Sequence, residues 1–164
     1  MKFRIDQRIP APLATLEAAL LDRDFVAATA RLPKLGSPEV LENSRAGDRA
    51  HQRIRYRFTA QLSGAVTRVV DPGKLTWVDD GRYDLTTHTS RHRILPDNYA
   101  DRLQASYDVT LEPLGDSTRR LVTGELTVHV PLVGGRVERA IVDGLEEHAN
   151  AEGELLGRWI AERS

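Results

Sequence analysis

The chain contains no cysteine. That excludes a disulfide scaffold, a thiolate zinc site and a thiol nucleophile. It also lacks any apolar run near the ~18 residues of a membrane span. The opening residues, MKFRIDQRIP, alternate charge and apolarity and contain no signal-type apolar core. A soluble, cytoplasmic protein is the expectation. No charge sign dominates: 23 Lys and Arg oppose 24 Asp and Glu, for a formal charge of −1. That balance predicts no nucleic-acid partner and no stable membrane insertion. Familiar catalytic signatures are missing too: no G-x-S-x-G elbow, H-E-x-x-H pair, P-loop, G-x-G-x-x-G turn or Ca²⁺ loop. Nothing in the pattern calls for a metal or a cofactor.

What is present fits one domain, 1–164, long enough to bury a core. Lys2 to Ile9 alternates, with Phe3, Ile5 and Ile9 on one side and Arg4, Asp6 and Arg8 on the other, which predicts a strand. Pro10 and Pro12 stop it. Leu13, Leu16, Leu20 and Leu21 follow at helical spacing, and Asp22 or Asp24 can cap a second short helix carrying Phe25, Ala28 and Leu32. From Pro38 to Pro131 the period is two. Strands are predicted at 40–43, 51–59, 66–70, 75–83, 85–95, 103–111 and 122–130. Beyond Gly135 the period becomes about 3.6, and Val137, Ile141, Leu145, His148, Leu155 and Trp159 fall on one stripe of a helix reaching about Glu162. The order is strand, two short helices, antiparallel strands, long helix. Each strand has one apolar side, so the sheet has one wet face and the long helix must cover the other. A strongly curved sheet around one helix can enclose a hollow. Gly144, Gly153 and Gly157 inside the helix could leave room beneath it.

Three segments carry a resemblance: FRIDQRIPAPLATLEAAL, VTRVVDPGKLTW and VPLVGGRVERAIVDGL. They resemble the first strand and helix, the strand–DP-turn–strand and the final helix entry of the START-like superfamily, also called SRPBCC or the birch-pollen-allergen fold. More closely, LPKLGSPEVLE, RIRYRFTAQLS and RILPDNYADRL resemble a bacterial domain-of-unknown-function branch of it. The resemblance implies an α+β helix-grip fold, with a curved antiparallel sheet of about seven strands wrapped around the C-terminal helix. It also implies a deep cavity between sheet and helix for a small hydrophobic molecule such as a lipid, sterol or polyketide. Some members of that superfamily catalyse cyclisation or dehydration.

Parity nominates the cavity wall. His88, Ser90 and His92 alternate on one predicted strand and share a side with Ile94. Residues four apart on a strand lie ~13 Å apart, so the two imidazoles cannot chelate one metal. They can line one elongated pocket. Tyr56, Phe58, Trp77 and Tyr107 are the aromatic candidates, and buried tyrosine hydroxyls need partners. Leu126 and Val128 complete the sheet side. Ile141, Leu145, His148 and Leu155 face them from the helix. His51 and His129 share a parity with charged residues and are expected outside. Arg53, Arg55 and Arg57 form an outer basic stripe, which Arg91 and Arg93 would extend if their strands were neighbours. Three functions compete: binding of an apolar ligand in a hollow of ~300–1,000 Å³, a cyclase or dehydratase using His88, His92 or Tyr107 as acid or base, and a protein-interaction module with a filled core.

Overall fold

The structure is a computed structural model describing all residues, Met1–Ser164. Strand β1 (Lys2–Ile9) leads into α1 (Leu13–Leu20) and α2 (Arg23–Ala28). Asp22 caps α2 by accepting from the Asp24 amide at 2.8 Å. Six strands follow: β2 (Glu39–Ala46), β3 (Arg49–Arg57), β4 (Thr76–Asp84), β5 (Thr89–Pro96), β6 (Leu103–Leu114) and β7 (Ser117–Val128). A single turn of helix, α3 (Gly64–Thr67), interrupts them, and α4 (Gly134–Arg163) closes the chain.

The seven strands form one antiparallel sheet in the order β1-β7-β6-β5-β4-β3-β2. The first strand therefore pairs with the last, and α4, about 45 Å long at ~1.5 Å per residue, lies against β1 and β7. This is the helix-grip arrangement.

Two apolar clusters hold α4. One gathers Phe58, Trp77, Leu126, Val128, Val137 and Ile141 at its N-terminal half. The other gathers Ile9, Leu16, Phe25, Leu156 and Ile160 where α1 and α2 pack on its C-terminal half. The helix glycines sit where the rest of the protein touches the helix backbone. A Cβ at Gly144 would lie 2.7 Å from the Phe58 ring, at Gly153 3.0 Å from the Gln7 amide, and at Gly157 3.1 Å from Pro10. Their space is thus occupied by neighbours and does not widen the hollow.

Three expectations need correction, and the condition set on the outer arginine stripe is not met. Residues 66–70 are not a strand: Ser63 caps α3, its side chain accepting from the Val66 amide, and Val66 and Val70 are buried one helical turn apart. The strand expected at 85–95 begins only at Thr89, because Asp84 accepts from the Thr86 and Thr87 amides and closes a turn. β5 and β3 are not neighbours, since β4 runs between them and places Asp80 between Arg53 and Arg93. His51 is half-buried rather than solvated, with Nε2 2.8 Å from Asp80.

Candidate functional site

Between sheet and α4 lies a cavity of about 190 Å³, and 22 of its 30 lining residues are hydrophobic. That is below the expected size range; the large buried side chains Phe25, Phe58, Trp77 and Leu126 all stand at its wall. An apolar cavity of ~150 Å³ accepts benzene, so the space suits a molecule about one substituted ring in size.

Of the nominated residues, Tyr56, Phe58, Trp77, Ser90, His92, Tyr107, Leu126, Ile141, Leu145 and His148 border this hollow. Three do not. His88 falls in the β4–β5 turn at φ 57°, so strand parity does not apply to it, and its Nδ1 lies 3.0 Å from Glu17 on α1. Val128 is buried beneath the start of α4, where its amide donates to Glu138 at 2.9 Å. Leu155 turns to the cluster under α1 and α2, because the apolar stripe widens there to receive Phe25, whose ring meets Trp159 edge-on at 5.7 Å.

The polar wall is built around a residue that the sequence reading passed over. Asp79 shares the inward parity of Trp77 and Tyr83 on β4. Its Oδ1 lies 2.8 Å from His92 Nδ1, and its Oδ2 accepts from the Tyr107 hydroxyl. His92 Nε2 is 2.9 Å from the Ser90 hydroxyl. In the neutral imidazole, with Nδ1 donating to the carboxylate, Nε2 accepts from Ser90. The ring stacks on Tyr107 at 4.3 Å and 8°, and meets Tyr83 edge-on at 5.4 Å. Gly81 makes this possible: it pairs with His92 across the strands, and a Cβ there would stand 2.7 Å from the imidazole. Gly124 does the same for Tyr107, whose Cβ would be 2.6 Å from an added one.

A second polar group lies between β7, β1 and α4. Arg120 is buried, an inward charge on β7 that sequence reading did not single out. It donates to Glu152 at 2.5 Å, to Gln7 at 2.7 Å and to the Ala149 carbonyl at 3.3 Å. His148 Nδ1 is 3.1 Å from the Pro33 carbonyl, and its Nε2 is 3.9 Å from Glu152. A buried guanidinium is tolerable only with such a set of partners. The signal for Asp79, Arg120 and Glu152 was positional: each shares a face with apolar neighbours.

Tyr56 stands apart. Its ring is 6.4 Å from both Trp77 and His148, and its hydroxyl makes no hydrogen bond within the protein. Burial, then the charges of Glu152 and Asp79, push this hydroxyl well above the ordinary tyrosine range. Burial and Asp79 do the same to Tyr107. Both remain protonated donors at any physiological pH.

The fold recurs among solved structures. TTHA0849 from Thermus thermophilus is 19% identical at a TM-score of 0.69, with 95% of this chain and 97% of that one covered. The Zhui aromatase/cyclase from Streptomyces sp. R1128 is 15% identical at a TM-score of 0.69, covering 99% and 94%. Norcoclaurine synthase from Thalictrum flavum is 12% identical at a TM-score of 0.68, covering 99% and 95%. These likenesses establish the START-like, birch-pollen-allergen architecture. A comparison with curated proteins finds no match. The profile described as "Protein of unknown function (DUF2505)" matches residues 4–160, and the chain belongs to that family.

Proposed function

We propose that this protein binds a small, mostly apolar molecule, about one ring in size, in the hollow between the sheet and α4. The observation that carries this reading is the apolar cavity with an uncommitted polar group, the Tyr56 hydroxyl, at its wall. Tyr56 is half-buried and its hydroxyl is not sealed in the protein, so it can pair with a ligand or water in the hollow. Pockets for small molecules combine apolar walls with a few placed polar groups in this way. The relatives in fold support the reading by analogy, one being an aromatase/cyclase.

An enzymatic reading has less support. Asp79 orients His92 as a carboxylate orients a general base, but the other ring nitrogen is already engaged by Ser90. His92 must first exchange Ser90 for a substrate before it can move a proton. The interaction-module reading loses ground because three of the five outer arginines are paired: Arg53 with Asp80 at 3.5 Å, Arg55 with Asp97 at 3.1 Å and Arg91 with Asp108 at 2.9 Å. No helix is long and apolar enough to cross a membrane.

Native mass spectrometry of protein purified without heating tests the binding reading. The expected result is a fraction carrying a small organic adduct that is lost on mild denaturation. Protein that is purely apo, and stays so when incubated with ring-sized aromatic compounds, contradicts it.

A further inference from the structure

The charged side chains that line the hollow are Asp79, Glu152 and Arg120, with His92 and His148 as the titratable imidazoles. Their side chains are not equally accessible. Asp79 and Glu152 leave 16% and 19% of their side-chain surface open, whereas Arg120, His92 and His148 leave 6%, 8% and 8%. The one guanidinium is spent on Glu152, Gln7 and the Ala149 carbonyl. With Arg120 paired to Glu152, Asp79 is the lining carboxylate without a guanidinium partner, and the more accessible charged groups of the lining are acceptors.

From this we infer that the hollow selects ligands bearing a protonated amine and turns away carboxylates such as fatty-acid anions. The inference rests on the binding reading above and adds the chemistry of the head group. An ammonium offers three N–H donors and no acceptor. Each Asp79 oxygen accepts one hydrogen bond from the protein, His92 on one and Tyr107 on the other, and keeps a lone pair. The Tyr56 oxygen, unpaired and within the field of both carboxylates, is a third acceptor. Tyr56, Trp77 and Tyr107 line the same space, and aromatic rings attract cations. A ligand carboxylate finds one free donor, the Tyr56 O–H; otherwise it meets Asp79 and the Arg120-paired Glu152 in a poorly screened interior, with no uncommitted cation facing it.

The test compares three probes that share a phenylethyl skeleton: phenethylamine, 3-phenylpropionate and ethylbenzene. Binding is followed by two-dimensional NMR titration at pH 8, above the ordinary imidazole pKa of ~6.5. Phenethylamine is expected to bind at least about tenfold more tightly than 3-phenylpropionate. Asp79→Asn is expected to shrink that ratio severalfold, and Glu152→Gln to shrink it as well. The wild-type ratio needs no variant, so misfolding of either one leaves the test intact. Equal binding of amine and carboxylate, or tighter binding of the carboxylate, overturns the inference, while ethylbenzene binding keeps the apolar-hollow reading. A ratio unchanged in folded Asp79→Asn overturns the role given to Asp79. Failure of all three probes overturns both readings together.

Discussion

Asp79 on β4 and His92 on β5 are joined by a 2.8 Å hydrogen bond that passes over the bare backbone of Gly81. Strand alternation sends both side chains inward, and the register sets them one inward position apart. The missing Cβ of Gly81 lets the imidazole lie flat enough to reach the carboxylate and stack on Tyr107. A polar core of this kind is stable only when its members are satisfied together.

Gly81→Ala tests that relationship. The new methyl stands 2.7 Å from the His92 ring, whose position is fixed between Tyr83 and Tyr107. Overpacking together with a lost buried hydrogen bond is expected to cost ~1–3 kcal/mol in urea denaturation. The imidazole resonances of His92 are expected to move. A change below ~0.5 kcal/mol with unmoved resonances contradicts the account.

The helix glycines give opposite signs at two positions. At Gly144 an added Cβ lies 2.7 Å from the Phe58 ring, which is itself only 3% exposed and cannot retreat. Gly144→Ala is expected to destabilise by ~1–3 kcal/mol despite alanine's better helix propensity. Gly135 has nothing within 4 Å of its added Cβ. Gly135→Ala is expected to stabilise by up to ~1 kcal/mol. Denaturation curves of the two variants check both signs.

Trp77 is buried in the apolar cluster and also borders the hollow. Trp77→Ala is expected to cost ~3–5 kcal/mol. A loss below ~1 kcal/mol would mean that its indole contacts empty space rather than packed neighbours.

Two pH effects have opposite directions. Arg119 grips Asp6 at 2.7 and 2.9 Å and holds its carboxyl at about 2, below the ordinary 3.8. A depressed carboxylate pKa contributes stability above the ordinary value, and that stability is lost as pH falls through about 2. Asp6→Asn is expected to remove that part of the acid dependence, read from Tm between pH 5 and 2. Tyr56, Tyr83 and Tyr107 are all raised above 10.0, chiefly by burial. The fold is therefore fully favoured below that value and loses stability as pH rises beyond it. Absorbance titration is expected to show these tyrosines ionising only as the protein unfolds. Reversible ionisation of all four near 10 in folded protein contradicts the buried cluster.

Much of this was legible in the chain. The alternation of Ile54, Tyr56 and Phe58, and the change of period after Gly135, are enough to place an inward sheet face opposite one long helix. Residues 66–70 were not legible because Val66, Val69 and Val70 satisfy either period over so short a run, and only the Ser63 cap decides. His88 was lost because parity holds only inside a strand, and the Asp84 turn ends before Thr89. Asp79, Arg120 and Glu152 escape a local reading for one reason: charge ordinarily marks the outer face. A charged group turns inward when its partners sit on other elements, as Arg120 on β7 does with Gln7 on β1 and Glu152 on α4. Those partners are set by tertiary register, which no local pattern displays.

The most direct test of the hollow is a set of intermolecular NOEs from phenethylamine at saturation. The account predicts contacts from the ring protons to Trp77 and Leu126, and from the methylene next to nitrogen to Tyr56 and Tyr107. Saturable binding with contacts only to exposed residues such as Leu132 and Val69, or no binding at millimolar probe, contradicts it.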